Sequence, residues 1–200
     1  MLEALAGTGL AAAAGLNAYI PLLALGLAGR FLDVVQLPAG WSWLSNEWVL
    51  VGLGVLLVIE FVADKVPAVD TVNDWIQTLV RPASGGIVFG GGAITETAVV
   101  TDPAEFLESN QWVPIVTGVV VALAVHLAKM ALRAVADTLT FGAAAPVLST
   151  VEDIGSVSLS VFALLFPLLV IAVLAALVVA LVLVFRRLRR RRAERAVTPV

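Results

Sequence analysis

The sequence predicts an all-α integral membrane protein with about six transmembrane segments, some of them broken or re-entrant. Sixty per cent of its 200 residues are hydrophobic and 14% are charged, whereas a soluble domain usually carries about a quarter charged residues. The mean hydropathy is +1.03. Because so much of the surface must be apolar, this composition requires lipid as its solvent. The chain contains no cysteine, which excludes disulfides, thiolate metal sites and thiol catalysis.

The strongest charge signal lies at the carboxyl end of the chain. Seven of the twelve Lys and Arg residues fall between Arg186 and Arg195, after the uncharged stretch of residues 160–185. Such a stretch can cross a hydrocarbon core of roughly 30 Å, and basic residues beside a span mark the cytoplasmic side. We therefore expect a helical membrane domain over residues 1–185 and a basic cytoplasmic tail over residues 186–200. Anionic lipids are the expected partners of this tail, and a nucleic-acid site is the disfavoured alternative.

Counting back from the tail gives six crossings with both termini in the cytoplasm. Residues 4–29 form the first segment rather than a secretion signal, because no positive residue precedes them. In this orientation Lys65 and Lys129 lie inside and the acidic connection of residues 101–111 lies outside, as the positive-inside rule requires. Arg30 is the exception.

Three clusters of Gly, Pro and polar residues predict interruptions of the membrane helices. They occupy residues 15–21, 81–92 and 141–146. A membrane helix can stop midway only where protein or trapped water satisfies its backbone, so such breaks favour a site, although close helix packing by small residues is the competing explanation. Residues 68–71 faintly echo residues 135–138, which suggests an inverted three-plus-three repeat.

Ionisable residues inside the predicted segments identify the candidate site. Glu60 and Asp64 are four positions apart, and His126, Lys129 and Arg133 share one stripe of a helix. Charged groups within a span usually face the bundle interior and mark function, while a purely structural ion-pair network, with Asp64 on Lys129 and Asp70 or Asp74 on Arg133, is the alternative. The predicted substrate or ion site consists of Asn17, Glu60, Asp64, Lys65, Asp70, Asp74, Arg81, His126, Lys129, Arg133, Glu152 and Asp153.

Other kinds of chemistry find less support in the sequence. His126 is the single histidine and could relay protons or be a hydrogen-bonded core residue. With one histidine and no cysteine, a metal site would have to use hard oxygen ligands, Glu60 and Asp64 first among them. No nucleophile elbow, zinc-protease pair or phosphate loop occurs, so we expect neither an enzyme nor a bound cofactor.

Five separated motifs resemble a bacterial membrane family catalogued as domain of unknown function 4126. The resemblance covers roughly residues 5–180, and its motifs are residues 15–23, residues 60–70, residues 81–85, His126 to Lys129 with Arg133, and residues 149–153. It implies the inner (cytoplasmic) membrane of a bacterium and supplies no activity. Residues 60–65 are also similar to the Glu-x-Gly-Asp-Lys motif of small cation/proton exchangers, but they are one residue longer and lack its glycine.

The resulting functional hypothesis is a small transporter or channel for an ion or small polar solute, with proton coupling left open. A cation/proton exchanger is one alternative. The other is a scaffold that organises lipids or a partner complex and uses the charged cluster only structurally. Self-association into a homo-oligomer is also compatible with the sequence.

Overall fold

The structure is a computed structural model that describes residues 1–32, 35–93, 110–140, 143–176 and 178–179. Every regular element within these residues is a helix, so the all-α prediction is confirmed for the described part of the chain. The elements are α1 (Leu2–Leu16), α2 (Tyr19–Phe31), a 3-10 helix (Ala39–Ser45), α3 (Glu47–Ala63), α4 (Pro67–Ala93), α5 (Trp112–Thr140), α6 (Ala145–Leu165) and α7 (Pro167–Ala176). The basic tail of residues 186–200 and most of the acidic connection of residues 101–111 lie outside the described residues.

Two of the described helices are long and apolar enough to cross a membrane, which indicates a membrane protein. They are α5, over Trp112–Ala136, and α6. A third span results if the 3-10 helix and α3 are taken together, although they are bent by 61°. The described helices therefore do not confirm the predicted six spans. The helices α1, α2 and α7 are too short at 10–17 residues, and α4 carries charged residues along its first half.

The central element of the bundle is α1, which consists largely of Ala and Gly. Every residue from Gly9 to Gly15 is buried, and α1 contacts α4, α5 and α6. Side chains this small let neighbouring backbones approach closely, which is how helices associate in lipid. A Cβ atom at Gly15, for example, would lie 2.6 Å from the carbonyl oxygen of Ala122 on α5.

The chain reverses direction between α1 and α2. Asn17 is extended (φ −143°, ψ 126°), and α2 then runs back along the bundle. Consequently Leu2 and Ala6 at the start of α1 and Leu25 on α2 line one cavity of about 330 Å³. The interruption predicted at residues 15–21 is present, but it separates two antiparallel half-length helices instead of kinking one crossing helix.

The interruption predicted at residues 81–92 is wrong, because α4 is one continuous helix that includes Pro82. The glycines of this segment serve close packing. A Cβ atom at Gly85 would lie 2.6 Å from the Gly118 carbonyl oxygen, and one at Gly90 would lie 2.8 Å from the Trp41 ring. Part of the third predicted interruption, residues 141–142, lies outside the described residues.

The antiparallel order of the helices gives the bundle two different ends. One, which we call the tryptophan end, holds Trp41 and Trp43 in the 3-10 helix, Trp48 at the start of α3 and Trp112 at the start of α5. The other, which we call the charged end, is formed by the last turn of α3, the first half of α4, the second half of α5 and the first half of α6. The reversal at Asn17 brings the end of α1 and the start of α2 to this charged end.

Candidate functional site

The candidate site is a network of buried charged side chains at the charged end of the bundle. Glu60, Arg81, His126 and Lys129 are each at most 3% exposed. They come from three different helices, and the Asn17 turn lies beside them. The structure thus brings these four predicted site residues together.

Arg81 lies at the centre of the first half of this network. Its side chain is fully buried, and its Nη2 donates to Glu60 Oε1 at 2.9 Å. Its Nη1 donates to His126 Nδ1 at 3.1 Å and lies 3.8 Å from Asp74 Oδ1. One guanidinium therefore links α3, α4 and α5, as expected for a residue that presents several donors in a fixed plane.

The hydrogen bonds of His126 determine which of its ring nitrogens carries the proton. A guanidinium has no acceptor, so Nδ1 must accept the bond from Arg81. Nε2 then carries the hydrogen and donates to Thr78 Oγ1 at 3.0 Å, and the Thr78 hydroxyl donates to the backbone carbonyl of Asp74 at 2.9 Å. In this arrangement His126 is neutral and orients Arg81. It can take up a further proton only if Arg81 moves away.

Lys129, Arg133 and Glu152 form the second half of the network. Arg133 makes a two-pronged contact with Glu152, with distances of 3.1 Å from Nε to Oε1 and 2.5 Å from Nη2 to Oε2. Lys129 Nζ lies 3.0 Å from the same Oε2 and 4.0 Å from Asp74 Oδ1. The planar fork of Arg suits this geometry, and the side chains of Lys129 and Arg133 are both buried.

The predicted pairing of Asp64 with Lys129 is wrong, whereas the predicted pairing of Arg133 with Asp74 is found. Asp64 accepts from Asn73 at 2.8 Å and faces Arg133 at 3.8 Å, not Lys129. Arg133 also lies 3.8 Å from Asp74 Oδ2, as the sequence suggested. Arg133 lies one turn later than Lys129 on α5 and so nearer the end of α3, whereas Lys129 donates to the carbonyl of Leu16 on α1.

The reversal of the chain at Asn17 is bonded into the network from both sides. Lys129 Nζ donates to the backbone carbonyl of Leu16 at 3.2 Å, where the partial negative charge of a helix carboxyl terminus lies. Asn17 Oδ1 accepts from the backbone N–H groups of Tyr19 and Ile20 at 3.0 and 3.1 Å, which satisfies the free start of α2. The two interrupted backbone ends are thus compensated inside the bundle.

A smaller group connects this turn to α6. Asn17 Nδ2 donates to Asp153 Oδ1 at 3.0 Å, and Lys65 Nζ lies 3.8 Å from Asp153 Oδ2. Lys65 also donates to the Ser149 hydroxyl at 2.8 Å and lies 4.0 Å from the centre of the Phe61 ring. Lys65 and Asp153 are the least buried charged members of the site.

Several buried atoms of the network have no hydrogen-bond partner among the described residues. They include three acceptor oxygens, namely Glu60 Oε2, Asp74 Oδ1 and Gln77 Oε1, and one donor, Arg81 Nε. The charges are also unequal: among the side chains that the structure describes at this end, five are carboxylates (Glu60, Asp64, Asp74, Glu152, Asp153) and four are cations (Lys65, Arg81, Lys129, Arg133). A partner with positive charge or donor hydrogens would therefore complete the network.

Of the twelve predicted site residues, the side chain of Asp70 lies outside the described part of the structure, and the others converge at the charged end. Within the described residues, no three His, Cys, Asp or Glu side chains are placed to hold a metal ion. Glu60 and Asp64, the predicted metal ligands, are held instead by Arg81, Asn73 and Arg133.

Sequence reasoning missed several polar residues of the site. Gln77 and Thr78 lie three and four positions after Asp74, and Arg81 lies seven after it, so all four share one face of α4. That spacing was the available signal. Tyr19, beside Gln77, follows Asn17 on the far side of the turn, and no periodicity could have indicated it.

A comparison with protein-family models identifies the family of this chain. The family model described as domain of unknown function (DUF4126) matches residues 4–187. The chain belongs to the DUF4126 family. The match covers all seven of the described α-helices except the first residues of α1, and the expected family is thereby confirmed. No curated protein matches the chain, and no solved structure matches it either. The DUF4126 description assigns no activity, so the functional argument depends on the geometry of the site.

Proposed function

We propose that this DUF4126 protein is a small membrane transporter or channel that binds an ion or a small polar solute at the charged end of its bundle. The observation that carries the proposal is the presence of unfilled acceptor oxygens on Glu60, Asp74 and Gln77 within a network that has an excess of carboxylates. An unpartnered buried polar atom costs about 1–3 kcal/mol. A purely structural network would be expected to avoid three such atoms at one place.

The turn at Asn17 supports the same function. The helices α1 and α2 have 15 and 13 residues, and each is about 20 Å long at 1.5 Å per residue, less than a hydrocarbon core of roughly 30 Å. Transporters often place such half-helices so that their ends point at a bound substrate or ion. The negative end of α1 and the positive end of α2 both lie at the charged network.

We further propose that the α1–α2 pair enters the membrane and leaves on the same side. Leu2 lines a cavity together with Gly92 at the end of α4 and Pro167 at the start of α7, so the amino terminus lies at the tryptophan end. Val170 of α7 packs near Gly9 of α1, and the later residue Leu174 packs near Ala12 and Ala13. Helix α7 therefore runs back toward the charged end.

We propose that the chain continues in this direction, so that the basic tail emerges on the side of the charged end, which the positive-inside rule assigns to the cytoplasm of a bacterial inner membrane. The proposal replaces the six predicted crossings by a re-entrant α1–α2 pair followed by five crossings, one for each helix from α3 to α7. Since the chain has no cysteine, single introduced cysteines can test it directly. Leu2→Cys and Ser42→Cys should both react with a membrane-impermeant maleimide from the periplasmic side, whereas six crossings would place the two on opposite sides.

The scaffold hypothesis is the second candidate, and the dense pairing of Arg133 and Lys129 on Glu152 favours it. Reconstitution into liposomes separates the two functions. A transporter or channel should give flux of at least one ion or solute in a broad panel, and Asp64→Asn should alter that flux. Wild-type liposomes that are silent across the panel, with no effect of Asp64→Asn, would favour the scaffold.

A further inference from the structure

Glu60 is a deeply buried carboxylate of the network. Its side chain is 1% exposed, and it lies in the last turn of the apolar helix α3. One of its oxygens, Oε1, is held by Arg81 at 2.9 Å, whereas the other, Oε2, has no hydrogen-bond partner among the residues that the structure describes. A buried carboxylate normally fills both oxygens, so the bare oxygen indicates a ligand that is small enough to share the site with a guanidinium.

We propose that this ligand is a proton, carried by Glu60 Oε2, and that Arg81 moves from Glu60 to Asp74 when the carboxyl group becomes protonated. This inference rests on the proposed function and names the ion that the transporter binds. On uptake, an O–H bond forms at Oε2 with a proton supplied by water, and Glu60 becomes neutral. On release, the bond breaks, the proton returns to water, and Arg81 pairs with Glu60 again.

The surroundings of Glu60 favour a proton over a metal cation. A metal ion such as Ca²⁺ needs six to eight oxygen ligands, but within the described chain no three His, Cys, Asp or Glu residues are placed to hold one. The unfilled carboxylate oxygen Asp74 Oδ1 on α4 lies 3.8 Å from Arg81 and 4.0 Å from Lys129. Two cations at that distance repel a metal ion, whereas a proton on Glu60 needs no further ligand.

The position of Asp74 makes the exchange geometrically short. Arg81 Nη1 already lies 3.8 Å from Asp74 Oδ1, so a shift of about 1 Å would bring it to hydrogen-bond distance. Such a shift would also release His126 Nδ1, which then becomes able to accept a proton. The ionisable groups that surround Glu60 and bias its protonation come from α2, α3, α4 and α5 and are Tyr19, Asp64, Asp74, Arg81, His126 and Lys129.

Proton flux into liposomes tests this inference directly. Purified protein is reconstituted with a pH-sensitive dye inside, and a potassium gradient with valinomycin imposes a membrane potential. We expect proton entry with the wild-type protein, entry at the rate of protein-free liposomes with Glu60→Gln, and partial entry with Glu60→Asp, which retains an ionisable group. The matched control is Glu47→Gln on the same helix, since Glu47 is 74% exposed and should leave the flux unchanged.

Infrared difference spectra between acidic and neutral buffer give a second readout that does not require transport. The chain has 15 Asp and Glu residues, each of which gives a carbonyl band when protonated, so the spectra of the variants are subtracted from that of the wild type. One component of the band should be present in the wild-type protein and in Glu47→Gln and be lost in Glu60→Gln. Sodium or potassium flux without proton movement, equal in the wild type and Glu60→Gln, would overturn the proton inference and leave the proposed transport intact. The absence of flux of any ion, with the Glu60 band present, would instead overturn transport and support the proton site.

Discussion

The crossing of α4 and α5 at Gly85 offers a sharp test of how packing holds the charged network together. A Cβ atom at Gly85 would lie 2.6 Å from the carbonyl oxygen of Gly118, and ordinary contact begins at 3.4 Å. This backbone oxygen cannot rotate away, and neither can the Ala122 Cβ atom, which lies closer still. Gly85→Ala must therefore push the two helices apart by at least about 0.8 Å, the difference between these distances, and overpacking of this kind costs roughly 1–3 kcal/mol.

The same displacement should reach the site. Arg81 lies four residues before Gly85, on the turn below it, and its 3.1 Å bond to His126 crosses between the same two helices. Lengthening that bond by about 0.8 Å would bring it near 3.9 Å, beyond hydrogen-bond range. Gly85→Ala should therefore reduce both stability and any flux that depends on Arg81.

Thermal unfolding in detergent, followed by circular dichroism, measures the effect on stability. For a chain of this length 1 kcal/mol corresponds to about 2–4 °C in Tm, so we expect Gly85→Ala to lower Tm by roughly 2–12 °C. Gly52→Ala is the matched control, because a Cβ atom at Gly52 meets nothing within 4 Å. It should leave Tm unchanged or raise it slightly, since Ala favours a helix more than Gly does. Equal Tm values for the two variants would refute the packing argument.

Two further substitutions test individual bonds of the network. Arg81→Met should destabilise the protein by about 3–5 kcal/mol, because it leaves Glu60 buried without its partner, and adding Glu60→Gln should restore much of that loss; a double variant no more stable than Arg81→Met in the same unfolding assay would contradict the pairing. Asn17→Ala should lower Tm more than Asn46→Ala. Each removes the cap of a helix start, worth about 0.5–2 kcal/mol, but Asn17 accepts from two backbone N–H groups where Asn46 accepts from one, and Asn17 also binds the half-buried Asp153; equal losses would show that these additional bonds contribute nothing.

The convergence of the charged residues could be predicted from the sequence because it follows from helical spacing. Glu60 with Asp64, and His126 with Lys129 and Arg133, were certain to share a face once the segments were helices. Burial of that face is then enforced by lipid, which rejects charge wherever it occurs along a span. The all-α class follows from the same argument, since lipid leaves few other ways to satisfy a backbone.

The course of the chain at residues 15–21 could not be predicted in the same way. An apolar segment with Asn and Pro near its middle is compatible with one kinked helix and with two antiparallel ones. The choice depends on partners such as Asp153 that are remote in the sequence. The pairing of Asp64 with Arg133 rather than Lys129 likewise depends on the level at which α5 packs beside α3, which no local pattern encodes.

The glycines of α4 were misinterpreted for a related reason. Gly85 and Gly90 read equally well as helix breakers and as contact points, because both roles require the absence of a side chain. Only the presence of Gly118 and Trp41 directly opposite distinguishes them. The sequence does not show which residues lie opposite each glycine, so it cannot separate the two roles.

The bonds at the tip of the α1–α2 pair also constrain the order in which the protein can be assembled. The ribosome makes Asn17 and Leu16 early, but the groups that bind them, Asp153 and Lys129, follow 136 and 113 residues later. Until α5 and α6 have entered the membrane, these bonds cannot form, and an exposed amide in hydrocarbon is unfavourable. Helices α1 and α2 should therefore reach their final depth only after α5 and α6, although they are synthesised before them.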